Sequence, residues 1–146
     1  MNRVLRAVAV AIFSVCVASW QLQADVINIT EGSTSGYTMT DGNTYVVENS
    51  VAFSNTTAGG SGMTVEEGAT VVLYVPAGVT LTARGAVGTN GANGGSFVSV
   101  TGGGAGIRVP ETATLIITGE GIINTSGGNA GNGGRGGNGG SGSLTP

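Results

Sequence analysis

Between residues 29 and 115 one short phrase recurs five times: an apolar residue, two residues, usually Gly, one small or variable residue, Thr, then an apolar or aromatic residue. Its copies are Ile29-Thr30-Glu31-Gly32-Ser33-Thr34, Met39-Thr40-Asp41-Gly42-Asn43-Thr44-Tyr45, Val65-Glu66-Glu67-Gly68-Ala69-Thr70-Val71, Val75-Pro76-Ala77-Gly78-Val79-Thr80-Leu81 and Val109-Pro110-Glu111-Thr112-Ala113-Thr114-Leu115. Repetition on this scale marks an architecture in which a unit too small to bury its own apolar face buries it against the next. The starts at 29 and 39, and again at 65 and 75, are ten residues apart, whereas a Gly/Asn/Ser-rich stretch fills much of the interval from 75 to 109. The unit therefore reads as a strand–turn–strand corner that accepts insertions.

The residue chemistry supports that reading. Glu-Gly, Asp-Gly and Pro-Ala-Gly are turn signals, because Gly takes positive φ without steric cost and Pro presets the first turn torsion. After the turns the pattern alternates with period two, placing Val65, Val71, Leu73, Val75, Val79, Leu81, Val109, Leu115 and Ile117 inward. Thr70, Val72, Tyr74, Thr80, Thr82, Thr114 and Ile116 then face outward. No stretch after residue 24 keeps helical apolar spacing without a Gly or Pro interrupting it, and Thr and Val dominate the ordered segments. The expectation is an all-β chain, and the repeat favours a β-solenoid over a sandwich.

Two segments, Val75-Pro76-Ala77-Gly78-Val79-Thr80-Leu81-Thr82 and Gly106 to Gly121 (GIRVPETATLIITGEG), resemble the V-P-x-G-A-T-L-T-I-T-G-x-G phrases of bacterial surface and autotransporter-type adhesins. The resemblance covers Thr64 to Ser126, with Thr112 standing where the phrase has Gly. It implies a right-handed parallel β-helix displayed at the cell surface. A solenoid needs about three coils and terminal caps, and the sequence given stops at Pro146 after a glycine tract. The expectation is an incomplete solenoid: the N-terminal piece of a longer protein or a truncated frame, with a lower edge open to self-association.

The first twenty-four residues read as an address. Arg3 and Arg6 precede a thirteen-residue uncharged run from Ala7 to Ser19, followed by Trp20 to Ala24. These are the charged, apolar and cleavage regions of a secretory signal peptide, a helix needed only while the chain crosses the membrane. Cleavage is expected between Ala24 and Asp25, with an alternative after Ser19. The single cysteine, Cys16, leaves with the signal, so no disulfide staples the exported chain. Residues 25–126 would form the solenoid segment, with a Gly-rich insertion around 85–106, and residues 127–146 a Gly/Asn-rich tail.

Of 29 glycines, twenty-one fall after residue 84. Such composition buries too little apolar area to offset backbone ordering, and it reads as loop and linker. An ordered polyglycine or polyproline-II-like layer is the alternative, since Gly131, Gly134, Gly137 and Gly140 keep a three-residue period. Gly131 to Gly136 also satisfies G-x-G-x-x-G, but no helix pattern or downstream acid follows to make it a dinucleotide site.

The chemistry on offer is narrow. Without lysine, and with Arg only at 3, 6, 84, 108 and 135, there is no basic stripe for nucleic acid. No His and one Cys remove the common metal sets and His-based acid/base catalysis. Glu66-Glu67 and Asp41 sit in turns, where carboxylates are usually solvated, and only Arg84 and Arg108 lie near the repeats, so no catalytic, metal or cofactor residue is assigned and no enzyme activity is expected. The Thr-x-Thr pairs Thr38/Thr40, Thr80/Thr82 and Thr112/Thr114 are candidate surface-binding hydroxyls. Asn28, Asn55 and Asn124 head glycosylation sequons by pattern. A non-enzymatic, adhesin-like surface protein is expected, with glycans or host or cell-surface proteins as partners and membrane contact only during export. Alternatives are an ice- or polysaccharide-binding solenoid, which requires aligned Thr rows, and a β-helix polysaccharide lyase or hydrolase, which requires an acid–Arg cleft. If the address is read correctly, intact-mass measurement of the exported protein gives an N-terminus at Asp25; retention of Met1 would overturn it.

Overall fold

A computed structural model describes residues 24–91 and 101–133; residues 1–23, which fall in the expected signal segment 1–24, residues 92–100 and residues 134–146 lie outside the described residues. Ten strands follow in order: β1 (Val26–Ile29), β2 (Tyr37–Met39), β3 (Thr44–Val47), β4 (Val51–Phe53), β5 (Met63–Val65), β6 (Thr70–Tyr74), β7 (Thr80–Arg84), β8 (Ile107–Arg108), β9 (Thr114–Thr118) and β10 (Ile122–Ser126). There is no helix among the described residues. All pairings between these strands are parallel and build three sheets: β1-β3-β6-β9, β4-β7-β10 and β2-β5-β8.

The chain visits the sheets in that order, first, second, third, and then repeats the circuit one layer further on. This is the solenoid-like, all-β stack that the repeat predicts. In the opening circuit the second sheet is reduced to one bridge, Ser33 to Phe53, where the Ser33 N–H donates to the Ala52 carbonyl (3.2 Å).

Strands this short bury nothing alone, so the core is a stack of equivalent positions. On the first sheet Ile27, Tyr45, Leu73 and Ile117 lie in register, as do Ile29 with Val47 and Val71 with Leu115. On the second, Val51, Leu81 and Ile123 align and Phe53 stacks on Ala83. On the third, Tyr37, Met63 and Ile107 align, with Met39 on Val65. The buried core is entirely apolar or aromatic.

Of the residues expected inside, Val65, Val71, Leu73, Val75 and Leu81 are buried, and Val79 and Leu115 are half-buried. Val109 and Ile117 are not: they are 43% and 53% exposed. Alternation gave their direction correctly, since Ile117 is in register with fully buried Leu73 and Val109 follows Arg108 where Val65 follows Thr64. They belong to the end of the stack, and no described strand lies beyond β8, β9 or β10 to cover them.

The recurring phrase marks two of the three corners. The copies beginning at Met39, Val65 and Val109 turn the chain from the third sheet into the first; those at Ile29 and Val75 turn it from the first into the second. Gly42, Gly68 and Gly78 have φ of 72°, 76° and 79°, the left-handed turn that the sequence calls for. Gly32 differs: its φ lies outside that region, and glycine is needed because a Cβ would run into the Ala52 carbonyl. Successive corners are tied together. The Thr70 N–H donates to Asp41 Oδ1 (2.7 Å), and the Gly68 N–H to the hydroxyl of Thr112 (3.1 Å), the residue that replaces glycine in the last copy.

The third corner, from second sheet to third, holds the glycine-rich insertions, and they grow from residues 54–62 to 85–106 in successive circuits. The described parts are not the loose linker that composition suggests. Gly85, Gly88 and Gly91 donate in turn to the carbonyls of Ser126 (2.9 Å), Asn129 (2.8 Å) and Asn132 (2.8 Å). That is one bond every third residue between two parallel segments, the spacing of a polyglycine or polyproline-II layer. The Ala86 N–H donates to Gly60, Gly59 to Val87, Gly104 to Ala86 and Gly128 to Gly104, bringing in the returning segments 59–62 and 101–106, which run antiparallel to the first two. At Gly104 a Cβ would penetrate the Gly60 carbonyl, and at Gly128 that of Ala86, so the approach depends on absent side chains.

Gly104→Ala is therefore expected to cost about 1–3 kcal/mol, as overpacking does. Val87→Ala, at a residue 57% exposed in the same layer, should stay within about 0.5 kcal/mol. Urea unfolding separates the two, and equal midpoints would mean the layer is not packed.

Candidate functional site

The first sheet turns one set of side chains outward, and the register aligns them in rows that cross the strands. Val26, Thr44, Val72 and Ile116 form one row; Asn28, Val46, Tyr74 and Thr118 form the next; Thr70 and Thr114 form a shorter third. None is charged. Val26 is 66% exposed, Ile116 48% and Tyr74 38%, while Val46 and Val72 are half-buried. β-Branched and aromatic residues suit a pleated surface, but three large apolar side chains this open on one face form a patch rather than scattered exceptions.

Charge is distributed around this face and almost nowhere else. Asp25, Asp41, Glu66, Glu67 and Glu111 lie where the chain enters the first sheet, and Glu31, Glu48 and Glu120 where it leaves. These are all eight acids of the chain, and all are exposed. The described arginines lie elsewhere: Arg84 ends β7 on the second sheet and Arg108 ends β8 on the third, on either side of the glycine-rich corner. The face is thus an uncharged strip, half of it apolar and half Thr or Asn, with acids along its entry side and, except after β6, along its exit side. The sequence places Asp41 and Glu66-Glu67 in turns; the alignment of the eight acids depends on the stacking of successive circuits.

The Thr-x-Thr pairs are not brought together. Thr38 is outward on the third sheet, Thr80 and Thr82 are on the second, and Thr112 and Thr114 are at the entry to the first. Several also have local work. Thr40 donates its N–H to the Tyr45 hydroxyl (2.7 Å), and its hydroxyl accepts from the Asn43 amide (2.7 Å); the Thr80 N–H donates to the Ser50 hydroxyl (3.0 Å). Of the sequon residues, Asn28 and Asn124 are exposed, whereas Asn55 is tied into its loop, donating to the Ser61 carbonyl (3.0 Å) and accepting from the Thr57 N–H (2.9 Å). Asp41 and the Glu66-Glu67 pair do not converge on Arg84 or Arg108. Among the described residues no group of three or more His, Cys, Asp or Glu could hold a metal ion, and no helix is long and apolar enough to cross a membrane. Ala24 and Asp25, the residues expected to flank signal cleavage, are exposed and precede β1.

With this geometry in hand, comparison with known proteins adds nothing: no family model, no curated protein and no solved structure matches the chain.

Among the described residues, the titratable group whose ionisation the fold alters is half-buried against the core. The Tyr37 ring packs edge-on to Tyr45 (6.0 Å, 88°) and tilted against Phe53 (5.0 Å, 49°). Burial, and secondarily the neighbouring Tyr45, raises its phenol above the ordinary 10.0. The folded chain then holds this proton more tightly than the unfolded chain. Its contribution to stability is full below pH 10.0 and is lost as pH rises through the folded value. Tyr37→Phe should flatten the fall in melting temperature above pH 10; an unchanged alkaline slope would count against the assignment.

Proposed function

We propose that the protein is an exported, non-enzymatic, right-handed parallel β-helix that acts by display at the cell surface, as adhesin-type solenoids resembling its Val75–Thr82 and Gly106–Gly121 phrases do. Handedness follows from the strong right-handed preference of parallel crossovers. The observation that carries the reading is the separation of an apolar core, without a buried polar residue among the described residues, from an outer face on the first sheet that presents rows of uncharged side chains. Such a body offers recognition along its walls and corners. Its partners are glycans or host or cell-surface proteins, its contact with the membrane is confined to export, and the edge of β8, β9 and β10, which no described strand covers, gives it a route to self-association. The ice- or polysaccharide-binding reading draws less support, because its Thr pairs occupy three faces; the lyase reading draws less because acids and arginines stand apart.

Protease treatment of intact cells expressing the full chain tests location. Removal of the protein from unbroken cells, or its recovery in the medium, is expected; protection until lysis would sink the reading. Sedimentation of the exported protein tests the edge: concentration-dependent association is expected, and Ile117→Asp should abolish it while costing no more than about 1 kcal/mol of unfolding free energy, as befits a half-exposed site.

A further inference from the structure

We propose that the outer face of the first sheet is a docking strip for a cationic amphipathic helix of another polypeptide, laid along the axis of the stack and across the strands. The apolar seat is Val26, Val46, Val72, Tyr74 and Ile116, of which Val26, Tyr74 and Ile116 are 66%, 38% and 48% exposed. The borders are the two acidic corner lines, and among the described residues no basic one lies on the face or on either border.

The dimensions match that occupant. Strands of four or five residues set a floor about 13–17 Å wide at 3.3 Å per residue, and a helix with its side chains is about 10–12 Å across. Four strands spaced about 4.8 Å apart give roughly 14 Å along the axis, or about ten residues of helix at 1.5 Å each. A helix with an apolar stripe facing down and Lys or Arg along both flanks would set the stripe on Val72 and Tyr74 and reach the carboxylates with its long side chains.

Other occupants fit worse. A second copy laid on the same face would oppose acids to acids and has no lysine to offer. Anionic lipid and nucleic acid meet the same repulsion. A neutral glycan could stack on Tyr74 but would leave the acidic borders without a role.

The proposal names a partner for the display function and rests on that reading for its setting. Its test uses purified full-length exported protein and does not depend on location, so a failure in the intact-cell experiment and a failure here are separable. The probes are a 14-residue Leu/Lys amphipathic helix and a scrambled peptide of the same composition, titrated calorimetrically. The helix should bind, losing about tenfold in affinity as exposed charges are screened on raising the salt, and the scrambled peptide should bind at least tenfold more weakly. Val72→Lys should abolish binding while circular dichroism and melting temperature show the fold intact. Glu67→Lys with Glu111→Lys should weaken it and reduce its salt dependence, and Arg84→Glu, beside the glycine-rich corner, should leave it unchanged. Equal binding of the scrambled peptide, unaltered affinity in folded Val72→Lys, or no peptide binding, with or without retention on a neutral polysaccharide through Tyr74, would each overturn the proposal.

Discussion

The parallel backbone ladder between successive circuits is the constraint from which the rest of the structure follows. Strands of two to five residues cannot bury a face individually. Each peptide group needs a partner one layer above or below, and that requirement stacks like positions on like positions. Leu73 is buried between Tyr45 and Ile117 because the register holds all three at one place around the circuit. The same register arranges the outward residues in rows, so interior packing and surface pattern have a single cause. It also makes stability a sum over neighbouring layers, and Ile117 lacks the burial of Leu73 because no described strand lies beyond its own.

Where a circuit must lengthen, the added chain faces the same accounting with fewer means. Residues 85–106 contain too little apolar sequence to cover, and the ordering cost of each residue still has to be met. Removing side chains lets segments approach closely enough for main-chain groups to bond to one another, as Gly104 does with Ala86 and Gly128 with Gly104. The glycines here act less through backbone freedom than through the volume they leave empty. The wall between second and third sheets is thereby extended by a layer whose outward residues are mostly amides, hydroxyls and small apolar groups.

This division explains what could be read from sequence. Alternation and turn chemistry are local, so the direction of Val71, Leu73 and Leu81 and the positive φ at Gly42, Gly68 and Gly78 were legible from a few adjacent residues. What depends on the length of a circuit was not. Gly32 is glycine because of Ala52, twenty positions on, and nothing near it announces the contact. The registers Val26 to Thr44, Thr44 to Val72 and Thr70 to Thr114 show circuits of unequal length. A Thr pair found by its spacing can therefore land on any face, and the three pairs landed on three. The Gly-x-x period at 85–91 was present in the sequence, yet it became a signal only beside the matching period at 126–132.

The acidic borders follow from turn chemistry and stacking together. Asp and Glu suit exposed turns; a solenoid then superimposes its turns, so carboxylates that are many residues apart come within about one or two strand spacings of each other. At exposed positions such repulsion is screened and small per pair, and Asp41 offsets part of its share by accepting from the Thr70 N–H. It is nonetheless one-signed along both corners, with no cation among the described residues of the face to relieve it. Positive charge arriving from outside would meet attraction along both corners. A surface of this kind discriminates by sign before it discriminates by shape, and the uncharged rows of Val, Ile and Tyr between the borders supply the shape.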